Sequence, residues 1–411
     1  MSYFSSIGFT LLFIAAVVYV AFRIYRILPV SKRAKTVVTI VYGVAVAAFV
    51  LSVTGGLDVL PMALASANYI LGNSWMIFFM YALMLFIVMD ILRLMDVLPD
   101  KATDNNLHSS IFVFGIIAVI MTYGAVHYRN KHREEMTITT AKVDKPVRIV
   151  MVSDLHIGYH NRRPTLTRWV NMINREKPDL VLIAGDIIDR SCRAINDDFD
   201  AAVFHRFRAP VYACLGNHEY YAGVEESMAF YDKAGINLLR DSSATVCGVT
   251  IIGRDDASNE NRRRAYQLAR KTNPNSYRIL LDHQPDTLSE TLLAKVDFQF
   301  SGHTHAGQIW PVSWLVKMEK ELPYGHLEKG GTHFYVTSGL GIWGGRFRIG
   351  TDSEYFVLNL LPATQPVIQP DDTDKKAAPR KAAPKPAPRD TGALQRDGGQ
   401  NTAPQSPGPS L

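Results

Sequence analysis

Four long stretches without a charged side chain constrain this chain more than any other feature. They cover residues 3–22, 36–57, 70–89 and 109–127. Each has roughly the 20 residues needed to cross a bilayer. Core helices of a soluble domain show a polar face at every turn, whereas FIAAVVYVAF and FVFGIIAVIM show none. Residues 1–128 are therefore expected to form a four-span membrane region. No cleavage-site pattern follows the first stretch and further spans come after it, so it does not read as a removable signal peptide.

The Lys and Arg of the short loops set the expected orientation. The first loop carries Arg23, Arg26, Lys32, Arg33 and Lys35, the second none, and the third Arg93 and Lys101. Arg129, Lys131 and Arg133 follow the last span. Seven basic residues against three place loops one and three in the cytoplasm, and everything after the fourth span outside it. The trailing basic cluster argues the other way, leaving a cytoplasmic domain as the alternative. The overall charge of +6 is modest, and its short clusters lie beside apolar runs. That placement suits anionic lipid headgroups better than nucleic acid, and no basic stripe with interleaved aromatics is present. The bilayer is thus an expected partner and nucleic acid is not. Three cysteines (Cys192, Cys214, Cys247) give neither a disulfide framework nor a CxxC pair.

After residues 129–146, expected to be a juxtamembrane linker, the pattern changes. From 147 to 361 short apolar runs (VRIVMVS, DLVLIAG, PVYACLG, VTIIG, RILLD, VDFQFSG, FYVTSG and EYFVLNL) alternate with amphipathic segments such as TRWVNMINREK and VEESMAFYDKA. Strands interleaved with helices predict an α/β layered domain. Residues 362–411 are rich in Pro, Ala, Gly and Gln, a composition expected to stay disordered.

Chemistry-bearing residues stand at the ends of the predicted strands: Asp154 and His156 in SDLH, Asp186 and Asp189 in GDIID, Asn217, His218 and Glu219 in GNHE, His283 in LLDHQP, and His303 and His305 in GHTH. In α/β folds the carboxyl ends of strands converge on one crevice. In extended chain, residues i and i+2 point the same way, so Asp154/His156 and His303/His305 are each expected to face one cleft. Asp, Asn and His donors without Cys suit manganese, iron or zinc. Seven to eight ligands exceed one tetrahedral ion and suit two.

The ordered set DxH, GDxxD, GNHE, a lone His and GHTH resembles the calcineurin-like metallophosphoesterase superfamily. SDLHIG, LLDHQP and SGHTHAGQI are most similar to its small bacterial, membrane-associated branch, which includes a UDP-diacylglucosamine pyrophosphohydrolase group. The resemblance covers about half of the chain. It implies a four-layer α/β/β/α sandwich behind the four spans, and two divalent ions per chain. One ion would be held by Asp154, His156, Asp186 and His305, and the other by Asp186, Asn217, His283 and His303, with Asp186 bridging. It further implies in-line attack on phosphorus by a hydroxide held between the ions, charge stabilisation or leaving-group protonation by His218, and a ligand-orienting role for Asp189. The expected substrate is a phosphoester or pyrophosphate, membrane-proximal or lipid-linked. The alternatives are a tethered phosphatase or nucleotidase for soluble substrates, or a catalytically silent membrane sensor. The chain keeps the branch's Arg348 and Gly350, but has Thr351-Asp352-Ser353 where relatives commonly carry Cys-Pro-Pro.

Other polar residues are expected to be structural. His160, His326 and His333 read as core or surface histidines, with His160 near enough to Asp154 to line the cleft instead, and Asp255 and Asp256 as turn residues or as facing the site. Arg190, Arg193 and Arg262–Arg264 read as a solvated face or membrane-surface patch, with binding of a phosphate-rich substrate as the alternative. Trp310, Trp314 and Trp343 read as loop aromatics, packed locally or dipping into the membrane interface.

Overall fold

The computed structural model describes residues 3–195, 198–286 and 288–363. The expected disordered tail lies almost wholly outside them. Four helices open the chain: α1 (Tyr3–Ile27), α2 (Lys32–Val53), α3 (Met62–Leu94) and α4 (Leu107–Arg129). All four are long and apolar enough to cross a membrane, as expected. Their outward faces expose large apolar side chains such as Phe9, Leu12, Val41 and Phe112, the inverse of a soluble bundle. The inner face packs Val20, Tyr42, Trp75, Phe79, Phe86, Val113 and Ile117.

α3 has 33 residues, about 50 Å at a rise of roughly 1.5 Å per residue, against an apolar bilayer core of roughly 30 Å. The excess lies against the α/β domain. Tyr69 reaches Asp189, and the Tyr81 hydroxyl donates to the Trp310 carbonyl at 2.6 Å. At the opposite end of the bundle, charges are paired: Arg23 with Asp90 at 3.1 Å, Arg93 with Asp100 at 3.0 Å, and Arg26 with Asp104.

Twelve strands follow: β1 (Lys131–Thr140), β2 (Val147–Val152), β3 (Leu180–Ala184), β4 (Val211–Cys214), β5 (Asn237–Leu238), β6 (Ser242–Val246), β7 (Val249–Gly253), β8 (Tyr277–Leu281), β9 (Phe298–Ser301), β10 (Gly325–Lys329), β11 (Thr332–Val336) and β12 (Ser353–Pro362). They form two six-stranded sheets, ordered β1-β12-β2-β3-β4-β5 and β10-β11-β9-β8-β7-β6. The period of two divides the core. Ile149, Met151, Leu180 and Leu182 meet Val249, Ile251, Ile279 and Phe298 between the sheets. Val150, Val152, Val181 and Ile183 face outward onto α5 (Arg163–Arg175) through Leu166, Val170 and Ile173. On the far side, Ile252 and Leu280 are covered by Ala265, Leu268 and Ala294 from short helices. The result is the four-layer α/β/β/α order.

One segment differs from the sequence expectation. Residues 131–140, read as a linker, are β1, paired in parallel with β12 over their whole length. KHREEMTITT carries no apolar run because this is an edge strand, in which exposed and half-buried residues alternate. β1 starts two residues after α4 ends, so the last span feeds directly into the sheet.

Candidate metal centre

The predicted ligands come from loops after five strands. Asp154 and His156 follow β2, Asp186 follows β3, Asn217 follows β4, His283 follows β8, and His303 and His305 follow β9. The reason they converge is not the one the period of two suggests. β2 ends at Val152 and β9 at Ser301, so neither pair lies on extended chain. Asp154, His156, Asp186, His303 and His305 all have left-handed backbones, with φ of 57°, 45°, 52°, 69° and 50°. Non-glycine residues rarely accept this conformation, and such strain collects at functional sites. Two glycines make the close approach possible. A Cβ on Gly302 would lie 2.3 Å from Asp154 Oδ2, and one on Gly216 would lie 2.2 Å from Asp186 Oδ1.

The donor atoms converge in two groups. His156 Nε2 lies 3.1 Å from His305 Nε2, and His305 Nε2 lies 3.2 Å from Asp154 Oδ1. In the second group, His283 Nε2 is 3.2 Å from Asp186 Oδ2 and 3.1 Å from Asn217 Oδ1, which His303 Nδ1 approaches to 2.8 Å. Asp186 Oδ2 is also 3.6 Å from His156 Nε2, which puts it between the groups. His283 Nδ1 donates to the Ala184 carbonyl at 2.7 Å, leaving the Nε2 lone pair to face the cluster. Asp154, His156 and His283 are fully buried and Asp186 nearly so. Burial disfavours an imidazolium, yet the Asp154 and Asp189 carboxylates push His156 up to about 10. A buried nest of carboxylates and imidazole lone pairs attracts cations, and the set fits divalent metal ions.

His218 stands at the edge of this cluster. Its Nδ1 donates to the Asp189 carbonyl and its ring meets His156 edge to face at 4.5 Å, which leaves Nε2 free of both contacts. Asp189 lies behind, with Oδ1 3.3 Å from His156 Nδ1.

Three features of the centre take parts that the sequence reading did not assign. Glu219, fourth in the GNHE motif, is fully buried and accepts from the backbone N–H groups of Gly216, Asp186 and Ile188 at 2.7, 3.0 and 2.9 Å. It ties the Asp186 loop to the Asn217 loop. Burial, followed by the Asp186 charge, pushes its carboxyl up to about 7 against those donors. Arg348, also fully buried, donates to the carbonyls of His305, at 2.7 Å, and Gly341, at 3.2 Å, fixing the GHTH loop. The departure at Thr351-Asp352-Ser353 serves this arrangement. Ser353 Oγ accepts from Arg348 Nε at 3.1 Å, and Asp352 pairs with His127 of α4 at 2.8 Å.

The third feature is the membrane bundle itself. A cavity of about 730 Å³ opens above the cluster, lined by Asn217, His218, His303 and His305 on one side and by Gly55, Leu57, Asp58 and Tyr69 on the other. The α2–α3 loop is pinned there by Arg193, which donates to the carbonyls of Leu57 and Leu60 at 3.1 and 2.7 Å, and by Arg190, which donates to the Val53 carbonyl. These two arginines thus hold the bundle on the domain and are not a solvated face. Trp343, half exposed, and Tyr221 complete the rim.

The remaining candidates lie apart or serve packing. His160 is buried, stacked on Tyr69 at 5.1 Å and bonded to the Ile342 carbonyl. His326 and His333 stack on each other across β10 and β11. Asp255 accepts from Tyr220, Arg240 and Asn259, and Asp256 from Gln284. Arg262 pairs with Asp282 at 3.2 Å. Trp310 and Trp314 are at least half exposed, and the Trp310 carbonyl accepts from Tyr81 of α3.

Comparison with known proteins places this geometry among relatives. Residues 147–307 match the family of calcineurin-like phosphoesterases. An uncharacterized metallophosphoesterase of Campylobacter jejuni is 31% identical over 253 residues, covering 60% of this chain and 68% of its own. One from Helicobacter pylori is 32% identical over 238 residues, 56% of this chain and 64% of its own. A zebrafish (Danio rerio) transmembrane protein with a metallophosphoesterase domain is 28% identical over 276 residues, 62% and 63% of the two chains. The matched region spans about two thirds of the length of these relatives.

Proposed function

Because this chain belongs to the calcineurin-like phosphoesterase family, we propose that it is a membrane-anchored, two-metal hydrolase of a phosphoester or pyrophosphate bond in a lipid-linked or otherwise membrane-proximal substrate. The observation that carries the reading is the wall of the catalytic cavity. Leu57, Asp58 and Tyr69 belong to the membrane bundle, so the space above the metal centre opens at the point where the spans meet the domain. A substrate lying in the bilayer surface needs no excursion into bulk water to reach it. The half-exposed Trp343 and the more exposed Tyr221 give the rim the amphipathic character of a membrane interface.

The chain's residues divide the work. Asp154, His156, Asp186 and His305 would hold one ion, and Asp186, Asn217, His283 and His303 the other. Two divalent ions, with manganese, iron or zinc compatible with these donors, supply Lewis acidity toward the phosphoryl oxygens and a nucleophile ionised at neutral pH. With Nδ1–H given to the Asp189 carbonyl, His218 would deliver a proton from Nε2 to the leaving oxygen as the imidazolium and be left as the neutral Nδ1–H tautomer. Glu219 and Arg348 keep three ligand loops in register. The domain is proposed to face the non-cytoplasmic side, where the basic first loop directs it.

The test is hydrolysis by the purified full chain in detergent. The panel contains p-nitrophenyl phosphate, its bis-ester, nucleotides and a lipid pyrophosphate, with manganese, iron and zinc supplied in turn. Metal-dependent turnover that is fastest on the lipid-linked substrate is expected. Equal or better turnover of the soluble esters would point to a tethered phosphatase, and no turnover with any metal would point to a silent sensor.

A further inference from the structure

A second cavity, of about 610 Å³, lies between α3, α4, α5 and the segment 344–347, and shares no lining residue with the catalytic one. The two are back to back. Tyr69, Tyr159 and Trp343 line the catalytic cavity, while their chain neighbours Ile70, His160 and Gly344 line this one. Four of its lining residues are cationic, Arg129, Lys131, Arg168 and Arg346, and none is acidic. Its remaining wall includes Ile70 and Phe347.

The charge is uncompensated. Arg254, by contrast, pairs with Asp282 and Glu290, both at 3.0 Å, and Arg23 with Asp90. Among the described residues, none of the four cavity cations has a carboxylate within salt-bridge distance. Arg346 Nε is buried with no hydrogen-bond partner. The Lys131 ammonium finds only the Tyr128 carbonyl, at 2.7 Å, and the faces of Tyr128 and Trp169. Burial, followed by Arg348, Arg168 and Arg346, holds Lys131 well below the usual ammonium range. Arg346 is lowered by burial and by its neighbours Arg168 and Arg129. Arg129 and Arg168 are exposed and Lys131 and Arg346 half-buried, and an anion among them would relieve the repulsion between these like charges.

The location identifies the anion's class. Arg129 is the last residue of the fourth span, which puts the cations at headgroup level, and Ile70, Ala125 and Phe347 share their cavity. Planar guanidinium groups match phosphate oxygens in pairs. We propose that this cavity binds the phosphate of an anionic glycerophospholipid from the surrounding leaflet, at a site separate from the catalytic centre. Such a lipid would neutralise the cluster and lock α3 and α4 against α5.

The experiment compares the full chain in nanodiscs of phosphatidylglycerol and of phosphatidylcholine, and in detergent with either lipid or with glycerol 3-phosphate added. Thermal midpoint and lipids retained through purification are measured for the wild type, Arg168→Gln and Arg168→Gln/Arg346→Gln. Phosphatidylglycerol should raise the wild-type midpoint by several degrees and stay bound, whereas phosphatidylcholine should not. Arg168→Gln, on the exposed rim, should lose most of this gain and the double variant all of it. Their metal content and turnover of p-nitrophenyl phosphate should match the wild type. In detergent without anionic lipid the variants should be at least as stable as the wild type, because repulsion has been removed. Equal stabilisation by both lipids, a full gain retained by the double variant, or variants less stable in lipid-free detergent would each overturn the proposal. An equal gain from glycerol 3-phosphate alone would assign the site to a soluble phosphate and defeat the lipid assignment.

Discussion

The hydroxyl of Tyr69, on a helix of the membrane bundle, donates a 2.7 Å hydrogen bond to Oδ2 of Asp189, whose other oxygen lies 3.3 Å from His156 of the metal centre. The same hydroxyl accepts from the Gly344 backbone N–H at 3.0 Å. One buried phenol therefore links the spans, the cavity rim and the carboxylate behind a ligand. Outer partners of this kind typically change metal affinity or activity by roughly 10- to 100-fold.

Tyr69→Phe should accordingly lower turnover or metal affinity within that range. It should also cost about 1–3 kcal/mol of stability by leaving the Gly344 N–H and an Asp189 oxygen unpaired. Kinetics against metal concentration, combined with thermal unfolding, separate the two effects. An unchanged metal titration together with unchanged turnover would show that the bundle is only an anchor.

Metal removal should abolish hydrolysis, and re-addition of a divalent transition metal should restore it. Asp186→Asn is expected to be the most damaging ligand substitution, because Asp186 Oδ2 faces His283 at 3.2 Å and His156 at 3.6 Å and so serves both groups. Metal analysis of this variant should show loss at both positions. Retention of full activity in chelator-treated wild type would sink the two-metal reading outright.

His218→Ala should separate chemistry from metal binding. A loss of roughly 10²–10⁴-fold in turnover is the scale of an acid–base group. Metal content should stay at the wild-type level, since His218 Nδ1 is committed to the Asp189 carbonyl. If the metal leaves with the activity, His218 belongs among the ligands.

How far the sequence foretold this molecule depended on the kind of signal each element gives. Central strands such as DLVLIAG announce themselves because they are buried on both faces, and spans such as FIAAVVYVAF because even their outward face is apolar. Edge strands do not. β1 and β6 alternate half-buried with exposed residues and read as polar chain, although β1 is the element that joins the last span to the sheet. The metal ligands were legible as residue types at strand ends, but their convergence rests on five left-handed backbones that no periodicity encodes. Tyr69 was the least legible of all. A tyrosine in an apolar helix gives no local sign of a carboxylate 120 residues further along the chain.

Orientation is the remaining prediction, and the structure sharpens its terms. The helix ends and loops of the bundle away from the domain hold Arg26, Lys32, Arg33, Lys35 and Lys101, with Arg26 tied to Asp104 and Lys35 to Asn105 at 2.6 Å. Nearby acidic partners do little to cancel the effect of Lys and Arg on insertion, so this end should stay in the cytoplasm. At the other end, Lys131 lines the basic cavity and Arg133 pairs with Glu135 and Glu176 at 2.8 and 2.9 Å. Those residues thus have structural duties that explain their presence on a translocated side, and large domains cross with less regard to charge. A reporter fused after Ala363 decides between the two arrangements. Alkaline phosphatase should be active there and green fluorescent protein dark. The reverse pattern would put the metal centre in the cytoplasm and direct the substrate search to lipid precursors on that face.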